Sequence, residues 1–429
     1  VIPIVAYADR QTRLRVILNR QASFSTEVDE VVRAILGQVR DRGDDALAAY
    51  TDQFDGVRPA SLRVSASERE AAFRALDPDF LAILTEAARN IRHFHEAQRQ
   101  QSWFREDGDG VILGQRVVPI ERVGLYVPGG KAFYPSSLLM NAIPAQVAGV
   151  VDIHLVSPPG KNGRPHASVL ATAHLLGLEN VYAVGGAQAI AALAFGTRTI
   201  PRVDKIVGPG NAYVAAAKKQ VYGPVAIDSI AGPSEIVVLA DETADAEFVA
   251  ADLLSQAEHD ERASAILVTT SAPLARAVCD HLARLVPTLS RRRIVEASLA
   301  EYGACVVTDT LDQAVDMVNE LAPEHLEVIV HDPWALLPRI RHAGAIFLGP
   351  YSTEPVGDYF AGPNHVLPTG GTARYASALG VDDFIRKQSV IAYTRERLLT
   401  AGPSIVRFAN EEELTAHALA VQVRLDRHA

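Results

Sequence analysis

Three polar clusters stand among apolar neighbours, and each carries a side-chain set that could do chemistry. The first is Leu253-Leu-Ser-Gln-Ala-Glu-His259. Gln256 and His259 are three residues apart, which on a helix puts both on one face, where two donors can share a metal ion. The same pair also suits a polar helix C-terminus, the commoner use, since glutamine is a rare zinc ligand. The second cluster is Leu321-Ala-Pro-Glu-His-Leu-Glu327. Glu324 and His325 suit general acid–base work. Pro323 disfavours a helix through this point. On an extended chain neighbouring side chains point to opposite sides, so the two act jointly only if a local turn bends them inward. A solvated loop is the competing reading. The third is Glu354-Pro-Val-Gly-Asp-Tyr359, followed by Gly362-Pro-Asn-His-Val-Leu-Pro-Thr369. Asp358 is a hard oxygen donor or a turn aspartate. Near the C-terminus, Glu412 and His417 read as surface residues unless that tail docks on a site.

The remaining histidines, among them His93, His95, His281, His331 and His342, carry no such context. The only cysteines, Cys279 and Cys305, fall in a helical and a strand-like stretch and read as small core residues. Without a CxxC there is no thiolate zinc site and no disulfide framework.

Two glycine stretches follow strand-like runs and open helices: Val184-Gly-Gly-Ala-Gln188 and Val207-Gly-Pro-Gly-Asn211. That placement suits a phosphate at a helix N-terminus. No G-x-G-x-x-G occurs, so the ordinary dinucleotide fingerprint is absent and tight strand-to-helix turns remain the simpler reading.

The elements that must position these residues alternate. The first hundred residues read as helices, with Ser67-x-x-Glu70 as a capping box and Asp79 capping a long helix toward Gln101. Residues 110–127 turn β-like. Short apolar runs then recur at 152–156, 181–184, 203–207, 236–239, 265–268, 305–307, 327–330 and 345–348, with Ala- and Leu-rich helical stretches between them. Strand–helix–strand alternation predicts parallel sheets covered by helices. The pattern restarts near Ala231-Gly-Pro-Ser234. The expected fold is therefore α/β: two incomplete Rossmann-like domains, N-terminal helices, and a helical tail over about 411–427. The expected division is 1–110, 111–234, 235–380 and 381–429. In such folds ligands gather outside the carboxyl ends of strands.

The chain has 429 residues, enough for several cores, and a formal charge of −10, which argues against nucleic acid or an anionic membrane as partner. No apolar run is long enough to cross a bilayer, and the N-terminus lacks a secretory pattern. A cytoplasmic enzyme is expected. The first residue is Val, so a few preceding residues are expected to be missing.

Taken together, the clusters and glycine stretches resemble the histidinol dehydrogenase family. The likeness is carried by Gly124–Gly130, Val184–Leu193, Val203–Asn211, Ala231–Glu235, Leu253–His259, Pro323–Leu326, Gly357–Tyr359 and Asn364–Thr369, in family order. Departures are peripheral, such as Pro363. The resemblance implies one zinc ion per subunit held by Gln256, His259, Asp358 and His417. It implies Glu324 and His325 as the acid–base pair. Ser234, Glu412, His325 and the zinc ligands would contact substrate, while Tyr126, Gln188 and Asn211 would contact NAD+. It further implies a homodimer in which Glu412 and His417 come from the partner's tail. The implied reaction takes L-histidinol through L-histidinal to L-histidine with two NAD+. Neither cysteine sits in a catalytic-looking stretch, so base-activated water is the expected route from aldehyde to acid. Two rivals remain: a dehydrogenase of another small alcohol on the same scaffold, and a zinc hydrolase, which leaves the glycine turns without a task.

Overall fold

The computed structural model describes residues 2–19, 26–108, 110–129 and 133–427. Gly130, in one of the glycine stretches, lies outside the described residues. The chain divides into two compact units: Val1–Gln98 with Glu121–Asp383, and Arg99–Ile120 with Phe384–Ala429.

The first unit holds two parallel sheets. One has five strands in the spatial order Asn180–Ala183, Asp152–Ser157, Arg122–Tyr126, Lys205–Val207, Ala226–Ile227. Its first strand is central, the next two are added on one side and the last two on the other. The strand order therefore reverses between Arg122–Tyr126 and Lys205–Val207. The other sheet has six strands, in the order Ile4–Ala6, Ala304–Val307, Ser264–Thr269, Glu235–Ala240, His325–Ile329, Ala345–Leu348. It repeats the same plan, with its reversal between Glu235–Ala240 and His325–Ile329. Ile4–Ala6 adds an edge strand beside Ala304–Val307 that the sequence pattern had not suggested.

Strands buried on both faces need continuous apolar runs, and these have them. Along Glu235–Ala240, Ile236, Val238 and Ala240 feed one core, while Val237 and Leu239 feed a second on the opposite face. This is the period-two alternation of a strand, used twice.

Two helix starts differ from expectation. The capping box is Ser65 with Glu68: Ser65 Oγ accepts from Glu68 N at 3.2 Å, and Ser65 N donates to the Glu68 carboxylate at 2.7 Å. Both serines precede a glutamate by three, and the helix begins at the earlier one. Asp77, not Asp79, caps helix Pro78–Glu96 through Phe80 N at 2.9 Å. Pro78 fits the first helical position, where its missing N–H costs nothing.

The second unit is a three-stranded antiparallel sheet, Ile385–Tyr393 beside Val111–Pro119 beside Trp103–Glu106, with helices Arg395–Glu411 and Thr415–Asp426. The helical tail thus starts earlier than 411. Gly402-Pro403 hides the longer helix from a sequence reading, since both residues ordinarily interrupt one.

Candidate active site

Topology brings the chemical residues of the six-stranded sheet to its amino edge. Ser234 directly precedes strand Glu235–Ala240, and Glu324 directly precedes strand His325–Ile329. Helix Ala246–Ala257 runs back from the carboxyl edge, so its C-terminus returns Gln256 and His259 to the amino side. His259 lies beyond the helix, past Glu258, with its N–H bonded to Gln256 O at 3.2 Å. The two residues are therefore linked through the helix terminus and do not share a helical face, a correction to the expected geometry. The helix stops at Glu258, so the i,i+3 spacing spans its end.

The turn required to bring Glu324 and His325 together is present. Ala322 is left-handed, with φ +48°, and Pro323 follows. Both side chains then anchor on one residue of the neighbouring strand. Glu324 Oε2 accepts from Glu235 N at 2.9 Å, and His325 Nδ1 lies 3.0 Å from Glu235 O. The two side chains approach to 3.7 Å. A carbonyl only accepts, so Nδ1 carries the proton and Nε2 is left as the lone-pair nitrogen. Nε2 is buried, has no hydrogen-bond partner among the described residues, and lies 3.9 Å from Asp358 Oδ1. Burial pushes His325 down to about 4, which keeps the ring neutral. Burial, with the Glu235 carboxylate second, holds Glu324 well above the usual carboxylate range.

Asp358 comes from the short helix Glu354–Tyr359. Glu354, four residues earlier, lies on the same face. Ligand atoms of His259, Glu354 and Asp358 all fall within 4.8 Å of one another. Glu354 is buried; its Oε2 accepts from Ser255 Oγ at 2.6 Å, and its Oε1 has no hydrogen-bond partner among the described residues and lies 4.0 Å from His259 Nε2. Burial pushes Glu354 up to about 8. Gln256 is fully buried, and neither atom of its amide has a hydrogen-bond partner among the described residues. A buried amide left unpaired costs about 1–3 kcal/mol, so it needs a ligand to satisfy it. The imidazole of His259 and the carboxylates of Glu354 and Asp358 form a donor set that fits zinc or a similar divalent ion.

Sequence reasoning missed Glu354 and His365 as members of this cluster. His365 Nδ1 lies 3.0 Å from Asp358 O, and its Nε2 lies 3.3 Å from Ser137 Oγ. The four-residue spacing from Glu354 to Asp358 was the available signal, masked by Pro355, which made the segment read as a turn.

The nucleotide candidates lie at the carboxyl edge of the five-stranded sheet. Tyr126 ends its strand, and its hydroxyl accepts from Gly186 N at 3.1 Å. Burial pushes this phenol up to about 12. Gln188, in the first turn of helix Gly186–Phe195, is buried, and its Oε1 has no hydrogen-bond partner among the described residues. Asn211 caps helix Ala212–Val221, its Oδ1 accepting from Tyr213 N and Val214 N at 3.1 Å each. Its side-chain oxygen is thus engaged in capping, and the amide NH2 is the group left to meet a ligand. Tyr126 and the Gly208–Asn211 turn leave the two strands that flank the order reversal, the place where open parallel sheets bind ligands.

Glu412 and His417 belong to the second unit. Glu412 closes helix Arg395–Glu411, Glu413 is left-handed with φ +59°, and His417 is in the first turn of Thr415–Asp426. Both side chains are exposed.

Comparison with known proteins bears on the whole chain. The family model for histidinol dehydrogenase matches residues 18–425. Histidinol dehydrogenase of Geobacillus kaustophilus is 59% identical over 405 residues, covering 94% of this chain and 96% of the relative. That of Halalkalibacterium halodurans is 57% identical over 410 residues, covering 95% and 97%. The crystal structure of histidinol dehydrogenase from Elizabethkingia anophelis superposes with a TM-score of 0.92 at 38% identity, covering 97% of this chain and 96% of that one. With near-complete coverage in sequence and in fold, the chain belongs to the histidinol dehydrogenase family.

Proposed function

We propose that the protein oxidises L-histidinol through L-histidinal to L-histidine, consuming two NAD+, in histidine biosynthesis. The observation that carries the chemistry is the state of His325. Its Nδ1 proton is committed to Glu235 O at 3.0 Å, and Nε2 is buried, neutral and without a hydrogen-bond partner among the described residues. Such a nitrogen can take the hydroxyl proton of an alcohol as hydride leaves the carbinol carbon.

Gln256, His259 and Asp358 would hold the zinc ion, with His417 from a second copy's tail as the fourth ligand. The ion would supply coordination sites for the imidazole and amine nitrogens of the substrate, so that the aldehyde stays bound between the two oxidations. NAD+ would supply the hydride acceptor, twice per turnover, in contact with Tyr126, Gln188 and Asn211. Every other step falls to this chain's side chains. Glu324 takes a proton from the water that adds to the aldehyde carbon. Burial and the neighbouring Glu235 carboxylate raise its affinity for a proton, so its ionised form is a stronger base than an exposed carboxylate. His325, protonated in the first oxidation, returns that proton to the aldehyde oxygen as the hydrate forms, then accepts a hydroxyl proton of the hydrate as the second hydride departs to NAD+; the acid so formed and the Glu324 carboxyl release their protons to solvent. Ser234, beside the strand start that anchors both residues, is positioned for substrate, and Glu412 from the second copy's tail would meet its cationic end. Shared sites of this kind make a homodimer the working form.

The test is a stoichiometric assay of metal-analysed protein with L-histidinol. Two NADH formed per histidinol consumed, with histidine as product, is the expected result. One NADH with free aldehyde, turnover of other amino alcohols at equal kcat/KM, or a metal-dependent hydrolysis without NADH would overturn the proposal.

A further inference from the structure

The turn Gly208–Asn211 is held by side chains. Its first residue, Gly208, has φ +114°, and a Cβ there would fall on the Tyr126 carbonyl oxygen, so only glycine fits. Both peptide groups of Gly208 are taken by ionic side chains. Lys218 Nζ donates to Gly208 O at 3.0 Å, and Gly208 N donates to Asp228 Oδ2 at 2.8 Å. Lys218 reaches back from helix Ala212–Val221, and Asp228 follows strand Ala226–Ile227. The two also form a direct ion pair, with side chains only 3% and 4% exposed.

A buried ion pair is a poor way to gain stability, because desolvation offsets most of its attraction. What this one provides is geometry: charge-assisted hydrogen bonds are short and directional. Two of them, one to the carbonyl and one from the N–H, fix the residue at which the chain leaves the strand for the turn into the helix. The turn leads into Asn211, whose side chain caps the N-terminus of its helix, beside Tyr126 across the strand-order reversal. The Tyr126 hydroxyl in turn meets Gly186, next to the buried Gln188 Oε1, unpartnered among the described residues, which independently marks this edge as awaiting a ligand.

We propose that the Lys218–Asp228 pair is a positioning device for the dinucleotide: by engaging both peptide groups of Gly208 it presets the turn and helix N-terminus that receive the pyrophosphate. This rests on the NAD+ reading of that edge. The pair is internally neutral and reaches no surface, so it acts through Gly208 and not by attracting the phosphates.

The test uses the full-length, metal-loaded protein. The double variant Lys218→Met/Asp228→Asn removes both charges with little change of shape. Its KM for NAD+ and Kd for NADH should rise about tenfold or more, equivalent to about 1.4 kcal/mol. Its kcat at saturating NAD+, KM for L-histidinol and metal content should stay near those of the unaltered protein. Asp228→Asn alone leaves the buried Lys218 charge without its partner and should weaken nucleotide binding at least as much as the double variant, with a lower Tm. Unchanged nucleotide affinity in the double variant, or a parallel loss in both KM values and kcat that follows the Tm, would overturn the proposal. Should the double variant not fold, hydrogen exchange on the unaltered protein decides. Amides of Gly208 to Val214 that are protected before nucleotide is added support a preset turn, and protection acquired only with NADH refutes it. If the unaltered protein itself fails to bind NADH, the NAD+ reading falls; if it binds and the variants bind equally well, only the positioning role does.

Discussion

The two parallel sheets of the first unit share one strand plan and use opposite edges. The five-stranded sheet presents its carboxyl edge, where Tyr126, Gly186 and the Gly208–Asn211 turn emerge. The six-stranded sheet presents its amino edge, where Ser234, Glu324, His325 and the returning Gln256–His259 segment meet. The difference follows from helix direction. At a carboxyl edge helices begin, with unpaired N–H groups and a positive dipole end suited to a pyrophosphate. At an amino edge helices finish, with carbonyls and a negative dipole end suited to a cation. The side chains agree with the backbone. Glycines, an amide and a phenol occupy the first edge, while carboxylates and imidazoles occupy the second. A duplicated architecture can thus serve a dinucleotide and a metal-bound amine with no change of topology.

The comparison can be broken by showing that a change at one edge disturbs the other. His325→Asn gives the largest expected effect. The lost base should lower kcat by about 10²–10⁴-fold, while NADH affinity, measured by fluorescence titration, stays unaltered. A variant that loses nucleotide affinity along with kcat would show that the edges are not separable.

Metal retention comes next. His259→Asn should strip the ion, and a variant with full metal content and activity would rule out the site. Glu354→Gln sharpens the point, because this carboxylate joins the cluster only in the folded chain. Its Oε1 lies 4.0 Å from His259 Nε2 and its Oε2 is fixed by Ser255. Loss of its charge should weaken metal affinity by about 10–100-fold, the usual scale for a group that orients a ligand. Equal affinity in a chelator competition would leave Glu354 as a packing residue only.

Within the amino edge, Glu324→Gln divides the two oxidations. The glutamine still accepts from Glu235 N, so His325 should keep its place. Alcohol-to-aldehyde turnover should then be spared and aldehyde oxidation slowed, as read in single-turnover experiments with each substrate. Equal losses in both would refute the division of labour.

How much of this was legible in the sequence depends on the length of the signal. Runs such as Ile236-Val-Val-Leu239 and Ala265-Ile-Leu-Val268 announce buried parallel strands, because few other environments take four apolar residues in a row. Ile4–Ala6 is three residues long and pairs only with Ala304–Val307, so nothing local marks it. Glu324 and His325 stand out as polar residues beside apolar ones. Their convergence does not, because it depends on Ala322 adopting a left-handed conformation that alanine rarely takes. His259 was visible but misplaced, since the helix end at Glu258 carries no glycine to mark it. Glu354 was hidden by ordinary first-turn chemistry, an acid before a proline.

The smallest expected effect concerns the acid behind the metal cluster. Glu327 is buried in the strand that carries His325, faces Asp252, and accepts from Glu354 N at 2.7 Å. Burial, with the nearby Asp252 carboxylate second, holds its pKa well above the ordinary 4.5. Below that ordinary value Glu327 is protonated both folded and unfolded, and contributes no pH dependence. Above it the unfolded chain releases the proton while the folded chain keeps it, so rising pH favours unfolding. The slope is at most about 1.4 kcal/mol per pH unit. Glu327→Gln is neutral in both states, can still accept from Glu354 N, and can donate to Asp252. The metal-free variant should therefore match the unaltered protein near about pH 4–5 and exceed it in denaturant midpoint near about pH 8. Parallel curves across that range would mean that Glu327 ionises freely when folded, and that the amino edge carries one more negative charge than its burial allows.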